Sequence, residues 1–187
     1  MAIGIKNIQA YKKVALPLML NNRLPSARIA NFTGFVLVGG ASRRMGRSKA
    51  FLQLDGESML ERQVRLLRSV ARRVVVVGGA AGYLDRLDVL VVPDAVPMRG
   101  PLSGICTALL ETRTEYSLVL GCDLPFVTRN LLACLMLRAR AAGGDATVPC
   151  SYDGRLQPLC AVYRRSALYA VRTRLALGLN KPSGFFP

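Results

Sequence analysis

Histidine is absent from the 187 residues, and that absence removes several chemistries together. No His-containing triad, no imidazole proton transfer and no histidine metal site can form. The five cysteines, at 106, 122, 134, 150 and 160, include no C-x-x-C pair, so zinc-site spacing is missing as well. Several of them sit in apolar runs, as buried thiols do, and a reducing cytoplasm fits them best. No uncharged apolar run reaches the ~18 residues of a membrane span. Acid is scarce, with 11 Asp and Glu against 26 Lys and Arg, a formal charge of +15. Such a balance suits an anionic partner. Nucleic acid is disfavoured, because there is no dense Lys/Arg tract and no aromatic-rich strand of the RNA-recognition kind. The excess is mostly arginine spread over predicted helices, which also suits a solvated face. Neither an internal repeat nor a low-complexity segment occurs.

What remains is enough for one domain with a sizeable core, at 51% apolar residues. Residues 1–33 carry five basic side chains and no acid, and their apolar run, Val14 to Leu20, is interrupted by Pro17. That run is marginal as a signal peptide. The segment reads as an appended, weakly ordered extension, with the domain occupying 34–187.

Strand and helix signals alternate from there on. Phe35–Val38, Arg73–Val77, Val89–Val92, Tyr116–Leu120, Ala146–Pro149 and Leu159–Tyr163 read as strands. Ser58 is a candidate N-cap for a helix through Leu67, Pro101 opens one through Thr112, and Thr128 caps one through about Ala141. A last helix spans Arg165–Leu177 and stops at Gly178. This alternation predicts a mostly parallel sheet covered on both faces, with ligands outside the carboxyl ends of its strands. Gly39-Gly40, Gly78-Gly79, Pro93-Asp94 and Gly121-Cys122-Asp123 all follow strands, so they are expected to gather at one edge.

The richest stretch is Phe35 to Leu54, FVLVGGASRRMGRSKAFLQL. A buried strand runs into Gly39-Gly40 and then a basic loop. Backbone N–H groups there, with Arg43, Arg44 and Lys49, suit a polyphosphate. The spacing Gly39, Gly40, Gly46 matches neither the dinucleotide fingerprint nor the P-loop. On the glycines alone, a plain turn with a solvated basic face fits better.

Leu37, Gly39, Gly40, Ser42, Arg44, Met45, Gly46 and Lys49 fall on the pattern LxGGxSxRMGxxK of nucleotidyltransferases that activate sugars and cofactors. Three later segments agree in order and spacing. They are Pro93-Asp94 with Gly100-Pro101-Leu102-Ser103-Gly104, Cys122-Asp123-Leu124-Pro125, and Gln157-Pro158-Leu159. On these residues the chain resembles the molybdenum cofactor guanylyltransferase (MobA-like nucleotidyltransferase) family, from about Gly34 onward. The resemblance implies a three-layer α/β/α, Rossmann-like, mostly parallel sheet of the nucleotide-diphospho-sugar transferase type. It implies transfer of GMP from GTP to molybdopterin with release of pyrophosphate, assisted by Mg²⁺.

Roles follow residue by residue. Asp123 is implied to hold Mg²⁺ and nucleotide, and Arg44 and Lys49 to neutralise the triphosphate and the leaving pyrophosphate. Leu37, Val38, Gly39, Gly40, Lys49, Gly78, Asp94, Gly100 and Gly104 are implied to surround the nucleotide, and Gln157 the pterin. Each has a plainer reading: Asp123 as a helix cap or loop acceptor, Asp94 as a turn aspartate, Gly100 to Gly104 as a helix entry. The enzyme is expected to be cytoplasmic and monomeric, without stable nucleic-acid or membrane partners, and to dock with proteins that handle the molybdenum cofactor.

The family's Asn-x-Asn-Thr-Pro segment, whose asparagines lie near the metal and second substrate, does not occur in this chain. The domain is therefore expected to be truncated at its C-terminus, with one apolar sheet face left open. Alternatives that stay open are a cytidylyltransferase of the same family, using CTP, and an inactive nucleotide-binding relative.

Overall fold

The computed structural model describes residues 11–15, 28–39, 49–79, 87–96 and 100–186. In chain order the strands are β1 (Tyr11–Ala15), β2 (Phe32–Val38), β3 (Gln53–Leu54), β4 (Glu57–Ser58), β5 (Arg73–Gly78), β6 (Leu90–Val92), β7 (Tyr116–Gly121), β8 (Ala146–Cys150) and β9 (Cys160–Arg164). The helices are α1 (Met59–Arg68), α2 (Pro101–Glu111), α3 (Arg129–Ala142) and α4 (Leu168–Ala176). Seven strands form one sheet in the order β1-β8-β9-β7-β2-β5-β6. Pairing is parallel for β1–β8, β2–β5, β2–β7 and β5–β6, and antiparallel where β9 meets β7 and β8.

Burial explains which runs take the centre. Every residue of β2 and of β7 is buried, and β5 buries its four valines. Strands covered on both faces read as continuous apolar runs, as these do. Alternate side chains then point to opposite layers. Phe32, Val36 and Val38 pack with Leu60, Val64, Leu67 and Leu132, so α1 and α3 cover one face. Phe35 and Leu37 pack with Leu102, Ile105, Leu109 and Val171, so α2 and α4 cover the other. Both apolar faces of the central sheet are thus covered, contrary to the open face expected from the missing segment. Phe186 itself is buried in the second layer.

The caps form as the sequence suggests. Ser58 and Glu61 make a reciprocal capping box, with Ser58 N–H donating to Glu61 Oε2 (2.7 Å) and Glu61 N–H to Ser58 Oγ (3.2 Å). Thr128 Oγ1 accepts from Leu131 N–H at 3.3 Å. Residues 165–167 form a 3-10 turn before α4, so the single helix expected over 165–177 is split.

The largest correction concerns residues 1–33. β2 begins at Phe32, whose ring stacks on Tyr116 with centroids 4.9 Å apart. A boundary between 33 and 34 therefore cuts a core strand. Tyr11–Ala15 pairs in register with Ala146–Cys150 and completes the sheet edge. A five-residue strand with two lysines has no alternation to announce it; the open edge of β8 recruits it. The β3–β4 hairpin was also missed. Asp55 and Gly56 both take positive φ (54° and 81°), the Asp-Gly turn chemistry that favours two-residue hairpins.

Candidate active site at the carboxyl edge of the sheet

Because β2, β5, β6, β7 and β8 run the same way, their carboxyl ends share one edge. The register places Val38 beside Gly78, Leu37 beside Gly121 and Val77 beside Val92. Gly39, Gly78-Gly79, Asp94 and Gly121–Asp123 are gathered there, as the sequence predicts. The start of β9 joins them, since Leu120 pairs with Cys160. Gly40, Ser42, Arg43, Arg44, Met45 and Gly46 lie outside the described residues. Lys49 opens a 3-10 turn, Lys49–Phe51, where the chain re-enters the core at Ala50.

Asp123 is exposed on the turn after β7. Its neighbours are tied down on both sides. Gly121 N–H donates to Leu159 O (2.7 Å) and Cys122 N–H to Leu37 O (3.2 Å). Gln63 Nε2 donates to Leu124 O (2.8 Å) and Arg62 Nε to Pro125 O (3.1 Å). A Cβ on Gly121 would sit 3.2 Å from Asp123 Oδ1, so glycine leaves room for the carboxylate. The side chain is available to solvent on a held backbone, which is what a ligand carboxylate requires.

Asp94 is placed differently. Its Oδ1 accepts from Val96 N–H (3.2 Å), Thr107 Oγ1 (3.0 Å) and the Ser103 hydroxyl. Ala95 N–H in turn donates to Thr107 Oγ1 (2.9 Å). The carboxylate fastens the loop after β6 to the first turns of α2. Ser103, named above only as part of the Gly100–Gly104 segment, and Thr107, which sequence reasoning missed, carry this network; their i, i+4 spacing on a helix is the available signal.

The glycines divide as well. Gly104 is buried within α2, where a Cβ would come 3.0 Å from Leu37 Cδ1. Leu37 and Gly104 therefore meet each other in the core instead of lining the edge with their side chains. Val38 is also buried, in the opposite layer. Gly78 has φ +82°, and a Cβ there would fall 2.3 Å from Val38 O, so this glycine serves strand packing. Gly100 caps α2 at φ +73° and is exposed, with Asn180 O 3.4 Å from its Cβ position. Among the described residues, a Cβ on Gly39 would meet nothing within 4 Å.

Gln157 is half-buried, with its N–H on Pro149 O (2.9 Å) and its carbonyl receiving Cys160 N–H (3.0 Å). Its Nε2 lies 3.4 Å from Ser151 Oγ. Tyr163 supports the same turn by donating to Pro158 O (2.9 Å), and burial pushes its phenol well above the usual range. Burial also raises Cys106 and pushes Cys160 up to about 12. These thiols stay protonated at neutral pH and are unsuited to attack.

Among the described residues no cluster of three His, Cys, Asp or Glu side chains forms a ready metal cage. A groove of about 460 Å³ runs along α1, bounded by Gly56, Glu57, Glu61, Val64, Arg65, Arg68 and Leu87. Its charges are already engaged, Arg65 with Glu57 at 2.8 Å and Arg68 with Asp88 O at 2.5 Å. It contains none of the expected site residues.

Comparison with known proteins agrees with this fold. Residues 34–182 match the family described as MobA-like NTP transferase domain. The chain is 38% identical over 155 residues to a probable molybdenum cofactor guanylyltransferase of Pelotomaculum thermopropionicum, covering 83% of this chain and 74% of that one. It is 40% identical over 151 residues to the corresponding protein of Chloroflexus aggregans, covering 78% and 72%. Among solved structures it resembles molybdopterin-guanine dinucleotide biosynthesis protein A of Archaeoglobus fulgidus, with TM-score 0.64, 27% identity and coverage of 80% and 75%. A 2-C-methyl-D-erythritol 4-phosphate cytidylyltransferase of Thermus thermophilus shares the fold alone, with TM-score 0.57, 19% identity and coverage of 79% and 78%. With strand-end glycines and an exposed aspartate gathered at one sheet edge, and relatives matching across the same span, this chain belongs to the MobA-like NTP transferase family.

Proposed function

We propose that this chain transfers GMP from GTP to molybdopterin, yielding the guanine dinucleotide cofactor and pyrophosphate with the help of Mg²⁺. The observation that carries the site is the exposed Asp123 carboxylate on a turn whose flanking backbone is held on both sides. The relatives named molybdenum cofactor guanylyltransferase supply the substrates.

The donor set fits Mg²⁺ bound mainly by substrate. This cation takes one or two carboxylates, waters and phosphate oxygens, and Asp123 supplies one hard oxygen ligand where no three-residue cage is found among the described residues. When bound, Mg²⁺ would neutralise charge on the triphosphate and the departing pyrophosphate. The rest falls to the chain. The nucleophile is a terminal phosphate oxygen of the pterin, largely ionised near neutral pH because its second pKa is ~6. It bonds to the α-phosphorus of GTP as the bond to pyrophosphate breaks, so no side-chain base is needed, in keeping with the missing histidine. The protein's contribution is alignment and charge. Arg44 and Lys49 are assigned to the phosphates, Gly39 and Gly100 to close backbone approach, and Gln157 to the pterin. A cytoplasmic setting and docking with proteins that handle the cofactor belong to the same proposal.

Calorimetry with GTP, CTP and ATP, with and without Mg²⁺, tests the reading, followed by a pterin-transfer assay on the wild type and Asp123→Ala. Mg²⁺-assisted preference for GTP, and turnover lost in the variant, is the expected outcome. Preference for CTP would move the reading to the cytidylyl reaction. Nucleotide binding without transfer would make the chain a binding relative.

A further inference from the structure

Four inward positions of α1 are apolar, namely Met59, Leu60, Val64 and Leu67, and the fifth is Gln63. Its residue is wholly buried, at 0% exposure. Only one end of the amide is used among the described residues: Nε2 donates to Leu124 O at 2.8 Å, while Oε1 is buried with no hydrogen-bond partner there. The orientation is forced, because a carbonyl accepts and only the NH₂ end can donate to it. An unpaired buried acceptor lowers stability, and methionine of similar volume would fill the space without that cost. Stability therefore does not explain the amide.

What the amide does is hold the carbonyl of the residue after Asp123. Arg62, its neighbour on α1, holds the next carbonyl, Pro125 O, at 3.1 Å. Pro125 already restricts Leu124 to extended backbone, so two bonds and one ring fix the exit of the turn. Its entry is fixed from the strands, by Gly121 N–H on Leu159 O and Cys122 N–H on Leu37 O. The same helix is joined to the chain that leaves the basic glycine loop, since Met59 N–H donates to Leu52 O at 2.9 Å. One rigid element thus touches the segment after the glycine loop and the aspartate turn.

We propose that Gln63, assisted by Arg62, is a positioning residue that fixes Asp123 relative to the segment following the glycine loop. Its functional consequence rests on the nucleotidyl-transfer reading above; the structural part does not. Gln63→Met keeps the volume and removes the donor. Hydrogen–deuterium exchange across residues 121–128 is expected to rise about 10-fold while thermal unfolding is unchanged or moves upward. The gain in GTP affinity on adding Mg²⁺, read by calorimetry, is expected to fall about 10-fold, with metal-free GTP affinity unchanged. Arg62→Ala, at the helix surface, reads the same turn should Gln63→Met fail to fold, with a smaller rise in exchange. Wild-type exchange in whichever variants fold, or exchange raised equally across the whole of α1 and β7, overturns the proposal. If the wild type shows no Mg²⁺-assisted GTP binding, the transfer reading fails, and the exchange experiment still decides whether Gln63 holds the turn.

Discussion

The turns after β6 and β7 present a like signal, an aspartate following an apolar strand with a proline within two residues, and the fold uses them in opposite ways. Asp94 is half-buried and its Oδ1 is occupied by Val96 N–H, Thr107 and Ser103. Asp123 is exposed, and the bonds around it go to its backbone neighbours. One carboxylate holds its loop; the other is held by its loop. Gly78 and Gly39 divide likewise, the first demanded by Val38 O and the second meeting nothing within 4 Å among the described residues. A residue whose hydrogen-bonding capacity or missing side chain is already explained by the scaffold says little about ligand. The one left unexplained is where binding is to be sought.

Substitutions can sharpen or break this contrast. Asp123→Asn should lower the transfer rate most, by roughly 10²–10³-fold, with the melting temperature unchanged because the side chain is exposed. A steady-state assay beside a thermal melt reads both, and a fall in stability without loss of rate would place Asp123 with Asp94. Gly78→Ala should destabilise the fold by about 3 kcal/mol, through a positive φ and a backbone collision. Gly39→Ala should leave urea unfolding within about 0.5 kcal/mol of wild type while weakening GTP binding, the reverse pattern. Asp94→Ala should cost about 2 kcal/mol in the same unfolding experiment, since three donors lose their acceptor.

The smallest effect concerns pH. The Ser58 hydroxyl and N–H hold Glu61 below the ordinary value of 4.5, and the Arg65 guanidinium does the same for Glu57. A carboxyl depressed in the folded state contributes stability that is present above its unfolded value and lost as pH falls through the folded one. Glu61 is exposed and Glu57 only half-buried beside an exposed Arg65, so solvent screening keeps the contribution small. Glu61→Gln keeps the capping geometry but cannot titrate. The melting-temperature difference between wild type and this variant should therefore shrink as pH drops below 4.5. A constant difference would mean that Glu61 titrates alike folded and unfolded.

Much of the central domain was legible before the fold was known. The four-valine run of β5, the Ser58 and Thr128 caps and the stop at Gly178 are local signals, and each element formed within a few residues of its expected place. β1 was not legible, because an edge strand is defined by the neighbour that recruits it. The antiparallel insertion of β9 was equally hidden, since a run of apolar residues carries no direction. At the site, the gathering of the glycine and aspartate turns followed from alternation of strands and helices. The roles of Ser103, Thr107 and Gln63 did not, because each depends on a partner between 9 and 61 residues away.

Periodicity, caps and turn residues act over a few positions, so the chain order alone settled most element types, the mostly parallel character of the sheet and the edge where its glycine and aspartate turns collect. Which of two like aspartates is free for chemistry, and which glycine is packing, rested on hydrogen bonds and contacts between distant segments. Those exist only once helices and sheet have closed on each other. That is why Asp94 and Asp123 are indistinguishable as letters and distinct as groups.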